Sequence, residues 1–394
     1  MARLIGASRP YAKITRSMRL LHTADWHAGK SLRGRPRLEE LRLALTELLD
    51  IAARERVDCL LVAGDVFDSY APAAESERLV YNFFAELVRT RISAVVIGGN
   101  HDHPHRLDAL ARLLDPLRIF VRGQHPGGMV ELESGSERAV VAALPWVPER
   151  LAVPVAELRA SMDSTSVYAD AVAAHLQQAV SQFRNGAVNL VVAHLHIHGA
   201  LVSGSERASH VTMPYALPAR CLPEAAHYIA LGHLHRPQQI DCRAPCHYAG
   251  SPLQLDFGEA GQSKRILLID ARAGARAHVE SIPLTAGRRL RDVSLSLDQL
   301  RTFATSAGDD FLRVTLDTPH PLPGFAAELR RSLPNAVDIR HRSQEPATPA
   351  PLPSSLEPAE LFAAFYRTRH NAAPPRELIA LFRELYEEVA HTPR

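Results

Sequence analysis

Lysine is nearly missing from this 394-residue chain. Lys13, Lys30 and Lys264 are the only ones, and arginine supplies the rest of the 45 basic residues. Against 43 acidic residues these leave a formal net charge of +2, so any basic surface must be local rather than global. The arginine bias, with abundant alanine, reads as a GC-rich coding sequence rather than a binding function. Cysteine is scarce too. Cys59, Cys221, Cys242 and Cys246 are too few for a disulfide scaffold, and Cys242/Cys246 has no second pair to complete a zinc site. Reduced thiols in a cytosolic protein are expected. No apolar run approaches the ~18 residues of a membrane-spanning helix, which excludes an integral helical membrane protein. Residues 1–17 are basic, without an apolar signal core or cleavage site, and are expected to be a disordered extension. Met18, just ahead of the first strand-like run, is an alternative start.

What is present is alternation. Apolar runs at 19–22, 59–63 and 94–97 read as buried strands, and 38–53 and 75–88 between them have helical spacing with acidic residues early. Further strand-like runs lie at 139–143, 188–193, 228–231 and 266–269. This order predicts an α/β sheet covered by helices. After about residue 283 the composition changes, and a short β-α-β pattern (311–316, 325–332, 337–340) suggests a small second domain. Pro346, Pro349, Pro351 and Pro353 mark a linker, followed by two amphipathic helices at 358–369 and 376–391. The expected division is 1–17 extension, 18–283 main domain, 284–345 small domain, 346–356 linker and 357–394 helical pair.

The chemistry lies at the strand ends. Asp25 and His27 follow the first strand, Gly-Asp-Val-Phe-Asp (64–68) the second, and Gly-Gly-Asn-His-Asp (98–102) the third. His194 and Gly-His-Leu-His (232–235) follow two later strands. Strand C-termini gather along one edge of an open α/β sheet, so five loops of metal-ligand residues converge there. Turn chemistry explains any one of them but not all five. Carboxylate, imidazole and amide oxygen without thiolate suit Mn²⁺, Fe²⁺ or Zn²⁺, and the set is too nitrogen-rich for Ca²⁺ or for Mg²⁺ alone. Seven or more ligands exceed one ion's needs. A two-metal centre for phosphoryl displacement follows. Gly29-Lys30-Ser31 mimics the end of a phosphate loop, but Ala24 occupies the first glycine position, so no ATP site is expected in this chain.

Asp-x-His, Gly-Asp-x-x-Asp, Gly-Asn-His-Asp, a later His and Gly-His-x-His, in that order, resemble the calcineurin-like metallophosphoesterases. Leu-His-Thr-Ala-Asp-Trp-His, Ala-Leu-Gly-His-Leu-His-Arg and Tyr-Ala-Gly-Ser-Pro are closer still to that superfamily's SbcD family of DNA-repair nuclease subunits. The motifs span roughly 19–283; beyond that the similarity is one of architecture. The resemblance implies a four-layer sandwich of two mixed β-sheets flanked by helices, with a small α+β capping domain and a C-terminal helical pair. It places Asp25, His27, Asp65 and His235 on one metal, and Asp65, Asn100, His194 and His233 on the other. His101 becomes the catalytic residue, as general acid or by stabilising charge on the phosphorane, with Asp102 orienting it and Asp68 supporting the Asp65 loop, or with both aspartates simply capping turns. Small Ala193 stands where the family usually has glycine. His194, His196 and His198 compete for one ligand position, and proximity to the strand end selects His194.

Lys30, Arg33, Arg35 and Arg37 after His27, with Arg106, are candidate contacts to DNA phosphates. The resemblance further implies 3′→5′ exonuclease action on duplex ends and endonuclease action on hairpins or single strands, usually with Mn²⁺. It also implies a homodimer, cytoplasmic and nucleoid-associated, whose C-terminal helices hold an SbcC-type ATPase. A small-substrate phosphodiesterase or phosphatase would share every ligand without needing the capping domain or helical pair. A non-catalytic scaffold on the same fold would lack ligands, and none is missing.

Overall fold

Strands buried on both faces read as unbroken aliphatic runs, because the pleat sends alternate residues into two different cores. That is how this molecule, a computed structural model, is layered. It is described for residues 17–135, 137–148, 164–206, 210–211, 215–304, 306–317, 325–342, 358–370 and 372–391. Residues 1–16 of the expected extension and the expected linker 346–356 lie outside the described residues.

Met18–Thr23 (β1), Cys59–Val62 (β2), Ser93–Ile97 (β3) and Ile119–Arg122 (β4) are parallel neighbours, with Leu38–Arg54 (α1), Ala74–Thr90 (α2) and Pro104–Leu114 (α3) in the crossovers. Gly128–Ser134 (β5), Glu137–Leu144 (β6), Val188–His194 (β7), Tyr228–Gly232 (β8), Gln238–Gln239 (β9) and Cys246–Tyr248 (β10) form a second sheet in the order β9-β10-β8-β7-β6-β5. Its four central strands are parallel and its edge strands antiparallel. Helix Ser164–Val180 (α4) lies between β6 and β7 in the chain. Arg265–Ala271 (β11) and His278–Pro283 (β12) return antiparallel to the first sheet, giving β12-β11-β1-β2-β3-β4.

Leu20, Leu61, Val95 and Ile97 of the first sheet meet Val141, Val192 and Ala230 of the second. Their neighbours Leu21, Leu60, Val62 and Val96 pack instead under Leu45, Leu48, Phe84 and Leu87 of α1 and α2. On the far side Leu144, Val191 and Leu231 pack against Tyr168, Val172 and Leu176 of α4. Helix, sheet, sheet, helix is the four-layer arrangement that the motifs imply.

Leu290–Leu295 (β13), Leu297–Ala304 (α5), Phe311–Asp317 (β14), Phe325–Ser332 (α6) and Ala336–Arg342 (β15) build a three-stranded sheet, β13-β14-β15, over its own core of Leu312, Val314, Leu316 and Leu329. The described residues up to 341 form one compact unit, and those from 342 a second. In the second, Pro358–His370 (α7) and Arg376–His391 (α8) stack Phe362 on Phe382 at 4.4 Å and leave Leu361, Phe365, Leu381 and Leu385 exposed. No described helix is long and apolar enough to cross a membrane.

Candidate metal centre

The parallel ladder of β1 and β2 continues past the strand ends. Asp25 N–H donates to the Gly64 carbonyl (2.9 Å), His27 N–H to that of Asp65 (3.0 Å) and Ala28 N–H to that of Val66 (3.0 Å), so two ligand loops run side by side. Backbone strain is concentrated here. Asp25, His27, Asp65 and His233 all have left-handed φ, at 54°, 47°, 51° and 102°. Gly99 is obligatory, since a Cβ there would overlap the Asp65 side chain.

Seven predicted ligands come together. His27 Nε2 and His235 Nε2 are 3.0 Å apart, while their Nδ1 atoms face Asp68 Oδ1 (3.1 Å) and Glu259 Oε1 (3.2 Å). Asp65 Oδ2 lies between the two groups, 3.6 Å from His27 Nε2 and 3.5 Å from His194 Nε2. His194 Nδ1–H donates to the Ala63 carbonyl (2.8 Å), which leaves its Nε2 3.0 Å from Asn100 Oδ1. His233 is reversed: Nε2–H donates to the His210 carbonyl (3.2 Å), and Nδ1 sits 2.9 Å from the same Asn100 oxygen. Asp25 accepts His233 N–H on Oδ1 (3.0 Å), and its buried Oδ2 has no hydrogen-bond donor among the described residues. Carboxylate and imidazole atoms of Asp25, His27 and His235 converge within 4.8 Å, as do those of Asp25, Asp65 and His194. Of the three competing histidines, His194 enters this site, while His198 is exposed.

Lone pairs aimed at one another at 3 Å demand a shared positive charge, either a proton or a metal ion. The proton equilibria show that demand. Burial, opposed by His194 and His235, pushes the Asp25 carboxyl up to about 7. Burial pulls on the His194 imidazole in the opposite sense, but the Asp65 carboxylate prevails and raises it to about 9. Asp65 itself is held well below the usual carboxylate range: burial opposes this, but His194, His27 and His101 outweigh it. Oxygen and imidazole donors with a carboxylate in the middle fit a pair of divalent cations.

His101 stands beside this cluster, its ring 4.6 Å from that of His27 and its Nδ1–H donating to the Asp68 carbonyl (2.9 Å). Two expected roles need correction. Asp102 does not orient His101. Its carboxylate accepts Val66 N–H (3.1 Å), Phe67 N–H (2.8 Å) and Gly99 N–H (2.9 Å), lacing the second ligand loop to the third. Asp68 does the orienting, through its carbonyl for His101 and its carboxylate for His27.

The basic candidates divide. Lys30 Nζ pairs with Asp68 Oδ1 at 3.1 Å, at the rim of the site. Arg33 bridges Asp256 (3.2 Å) and Asp338 (3.3 Å), Arg35 reaches the Pro334 carbonyl (3.5 Å), and Arg106 pairs with Glu77 (3.0 Å). Arg37 is withdrawn as a DNA contact: its 2% exposed side chain is taken up by Glu40 (2.6 Å) and the Gln254 carbonyl. Four supporting residues were not anticipated. Trp146 stacks on His233 at 5.1 Å and 28°. Ser205, Glu259 and Lys264 stand behind His235. The one sequence signal among them is Lys264, a lysine in a chain that otherwise avoids the residue.

Residues 18–237 match the calcineurin-like phosphoesterase family, and 286–370 match a family described as the type 5 capsule protein repressor C-terminal domain. The chain is 37% identical over 281 residues to the SbcD subunit of the SbcCD nuclease from Bacillus subtilis, covering 69% of this chain and 71% of that one. It is 34% identical to the Rhodobacter capsulatus protein of the same name (89% and 94% covered) and 30% identical to the Escherichia coli K12 one (83% and 86%).

Proposed function

The chain belongs to the calcineurin-like phosphoesterases and, among them, to the SbcD subunits of SbcCD nucleases, and from that premise we propose that it is a two-metal DNA nuclease working with an SbcC-type ATPase. It is a metal-dependent phosphodiesterase. The observation that carries the nuclease reading is the convergence of the seven predicted ligand side chains, with His101, grouped with His27 and Asp68, beside them. Asp25, His27, Asp65 and His235 would hold one cation, and Asp65, Asn100, His194 and His233 the other. Mn²⁺ is the preferred ion, with Mg²⁺, Fe²⁺ and Zn²⁺ as lesser candidates. Two bound cations supply Lewis acidity for water activation and charge for the scissile phosphate.

His101 does the proton work. With Nδ1–H committed to the Asp68 carbonyl, Nε2 is the atom that passes a proton to the leaving 3′ oxygen. Lys30, paired with Asp68 at the rim, is the basic side chain best placed for backbone phosphates; Arg35 reaches the Pro334 carbonyl, and Arg33 and Arg106 are held in ion pairs farther along. The activity is 3′→5′ exonucleolytic on duplex ends and endonucleolytic on hairpins and single strands. The exposed apolar face of α7 and α8 receives the ATPase, and the protein acts as a homodimer in the cytoplasm, at the nucleoid.

Linear duplex DNA with Mn²⁺ is the test. Wild type degrades it, while Asp65→Ala and His101→Ala do not. Equal cleavage by His101→Ala would remove the acid role. Hydrolysis of small phosphodiesters alone would favour a small-substrate enzyme.

A further inference from the structure

Two of the chain's three lysines stand directly behind metal-ligating histidines. Lys264 is buried, with Nζ 2.5 Å from Glu259 Oε2, and it also donates to the His235 carbonyl (2.8 Å) and Ser251 Oγ (3.0 Å). Glu259 is fully enclosed and turns its other oxygen to His235. His235 Nδ1–H donates to Ser205 Oγ (2.7 Å), and the Ser205 hydroxyl donates to Glu259 Oε1 (2.5 Å). Nδ1 itself lies 3.2 Å from that oxygen. The same order of groups recurs at the rim: His27 Nδ1 to Asp68 Oδ1 (3.1 Å), with Lys30 Nζ at 3.1 Å from that oxygen.

The other two imidazoles are backed differently. His194 ends on the Ala63 carbonyl and His233 on the His210 carbonyl, both neutral main-chain acceptors. A carboxylate behind an imidazole fixes its tautomer and strengthens it as a ligand more than a carbonyl does. A carboxylate this deeply buried needs its own counter-charge. A compact ammonium with three donors fits three separate acceptors, whereas a planar guanidinium is built for paired ones. That accounts for lysine here in an arginine-rich chain.

We propose that Glu259, neutralised by Lys264 and bridged by Ser205, is a positioning residue that fixes His235 as an Nε2 ligand and makes the Asp25/His27/His235 site the tighter of the two cation sites. The inference rests on the two-cation reading above, and its test separates the two ideas. Mn²⁺ is titrated calorimetrically into metal-stripped full-length protein, with free Mn²⁺ counted by electron paramagnetic resonance. Wild type is expected to show two classes of site. Glu259→Gln weakens the tight class by about 10- to 100-fold and leaves the weak class within about threefold. The double variant Glu259→Gln/Lys264→Met strands no buried ammonium and carries the test if the single variant does not fold. Ser205→Ala keeps the ion pair, removes only the bridge and costs about tenfold in the same class. In ¹⁵N-histidine spectra, one Nδ1–H resonance shifts in each variant. Wild type binding no Mn²⁺ would overturn the two-cation reading itself. Two wild-type classes with both affinities unchanged in the double variant, or lowered equally, would overturn this inference alone.

Discussion

Asp102→Ala removes one buried carboxylate and strands three main-chain amides. Val66, Phe67 and Gly99 each donate to it, at 3.1, 2.8 and 2.9 Å, from the loops that carry Asp65 and Asn100. A hydrogen bond to a charged acceptor contributes about 1.5–3 kcal/mol; burial and the Asp65 carboxylate push the Asp102 carboxyl up to about 7, and this, with partial relaxation and water entry, discounts the sum to about 4–6 kcal/mol. At roughly 2 °C per kcal/mol for a chain of this size, the melting temperature falls by roughly 10 °C. Both ligand loops lose their common anchor, so Mn²⁺ affinity falls with it. Calorimetry of the metal-stripped protein, followed by a Mn²⁺ titration, measures both effects. His101→Ala is the control, because it removes the proposed proton donor and leaves the anchor intact. If Asp102→Ala melted within about 1 °C of wild type, bound Mn²⁺ normally and lost only turnover, Asp102 would be the orienting partner of His101 after all.

Metal affinity should rise with pH, because protons and cations compete for the same lone pairs. Asp25 is raised to about 7, His194 to about 9, and His235 is raised as well, so metal binding displaces protons below about pH 9 and more of them below pH 7. The dissociation constant therefore falls steeply as pH rises to 7, more gently up to about 9, and then levels; a flat profile from pH 6 to 9 refutes the competition. Trp146 stacks on His233, while Trp26, between Asp25 and His27 in the chain, packs its indole against Phe83 and Phe84. Mn²⁺ should quench tryptophan fluorescence, Trp146→Phe should lose most of the quench, and unchanged emission at saturation would place the ion elsewhere. Arg37→Ala breaks a buried pair and costs about 2–4 kcal/mol in a denaturant melt, without altering the salt dependence of DNA binding. Lys30→Ala does the reverse, lowering the logarithmic salt slope by about one; equal slopes in both variants would refute the division.

The ligands were legible because each breaks an apolar run at a place where topology leaves no freedom. A parallel strand buried on both faces must end in a loop at the ligand-binding edge, so candidates Asp25, Asp65, Asn100, His194 and His233 fall into place once strands 19–22, 59–63, 94–97, 188–193 and 228–231 are recognised. The structure moves those boundaries by a residue or two. Edge strands were harder. His278–Pro283 is half-exposed with only Val279 and Ile282 apolar, and Gly128–Ser134 turns only Val130 and Leu132 fully inward, so neither rises above a loop in a linear reading.

What the motifs could not show is who stands behind the ligands. The family resemblance gives Asp102, next to His101 in the chain, the orienting role, with turn capping as the alternative. The tight Gly-Asn-His-Asp turn instead sends successive side chains in different directions, and Asp102 points back to the amides of the neighbouring loop. Arg37 fails for a related reason. Charge defaults to solvent in a linear reading, and only folding brings the Gln254 carbonyl, 217 residues away, onto its guanidinium. Glu259 and Lys264 sit in the connection between β10 and β11, with no periodicity to mark them, and their meaning comes from a histidine more than twenty residues earlier. Ligand identity is a local property of strand ends and can be read along the chain. Ligand strength is set by the atom behind each imidazole, which the fold brings in from a distant segment, and the carboxylate and carbonyl backings at the two proposed cation sites differ in that respect.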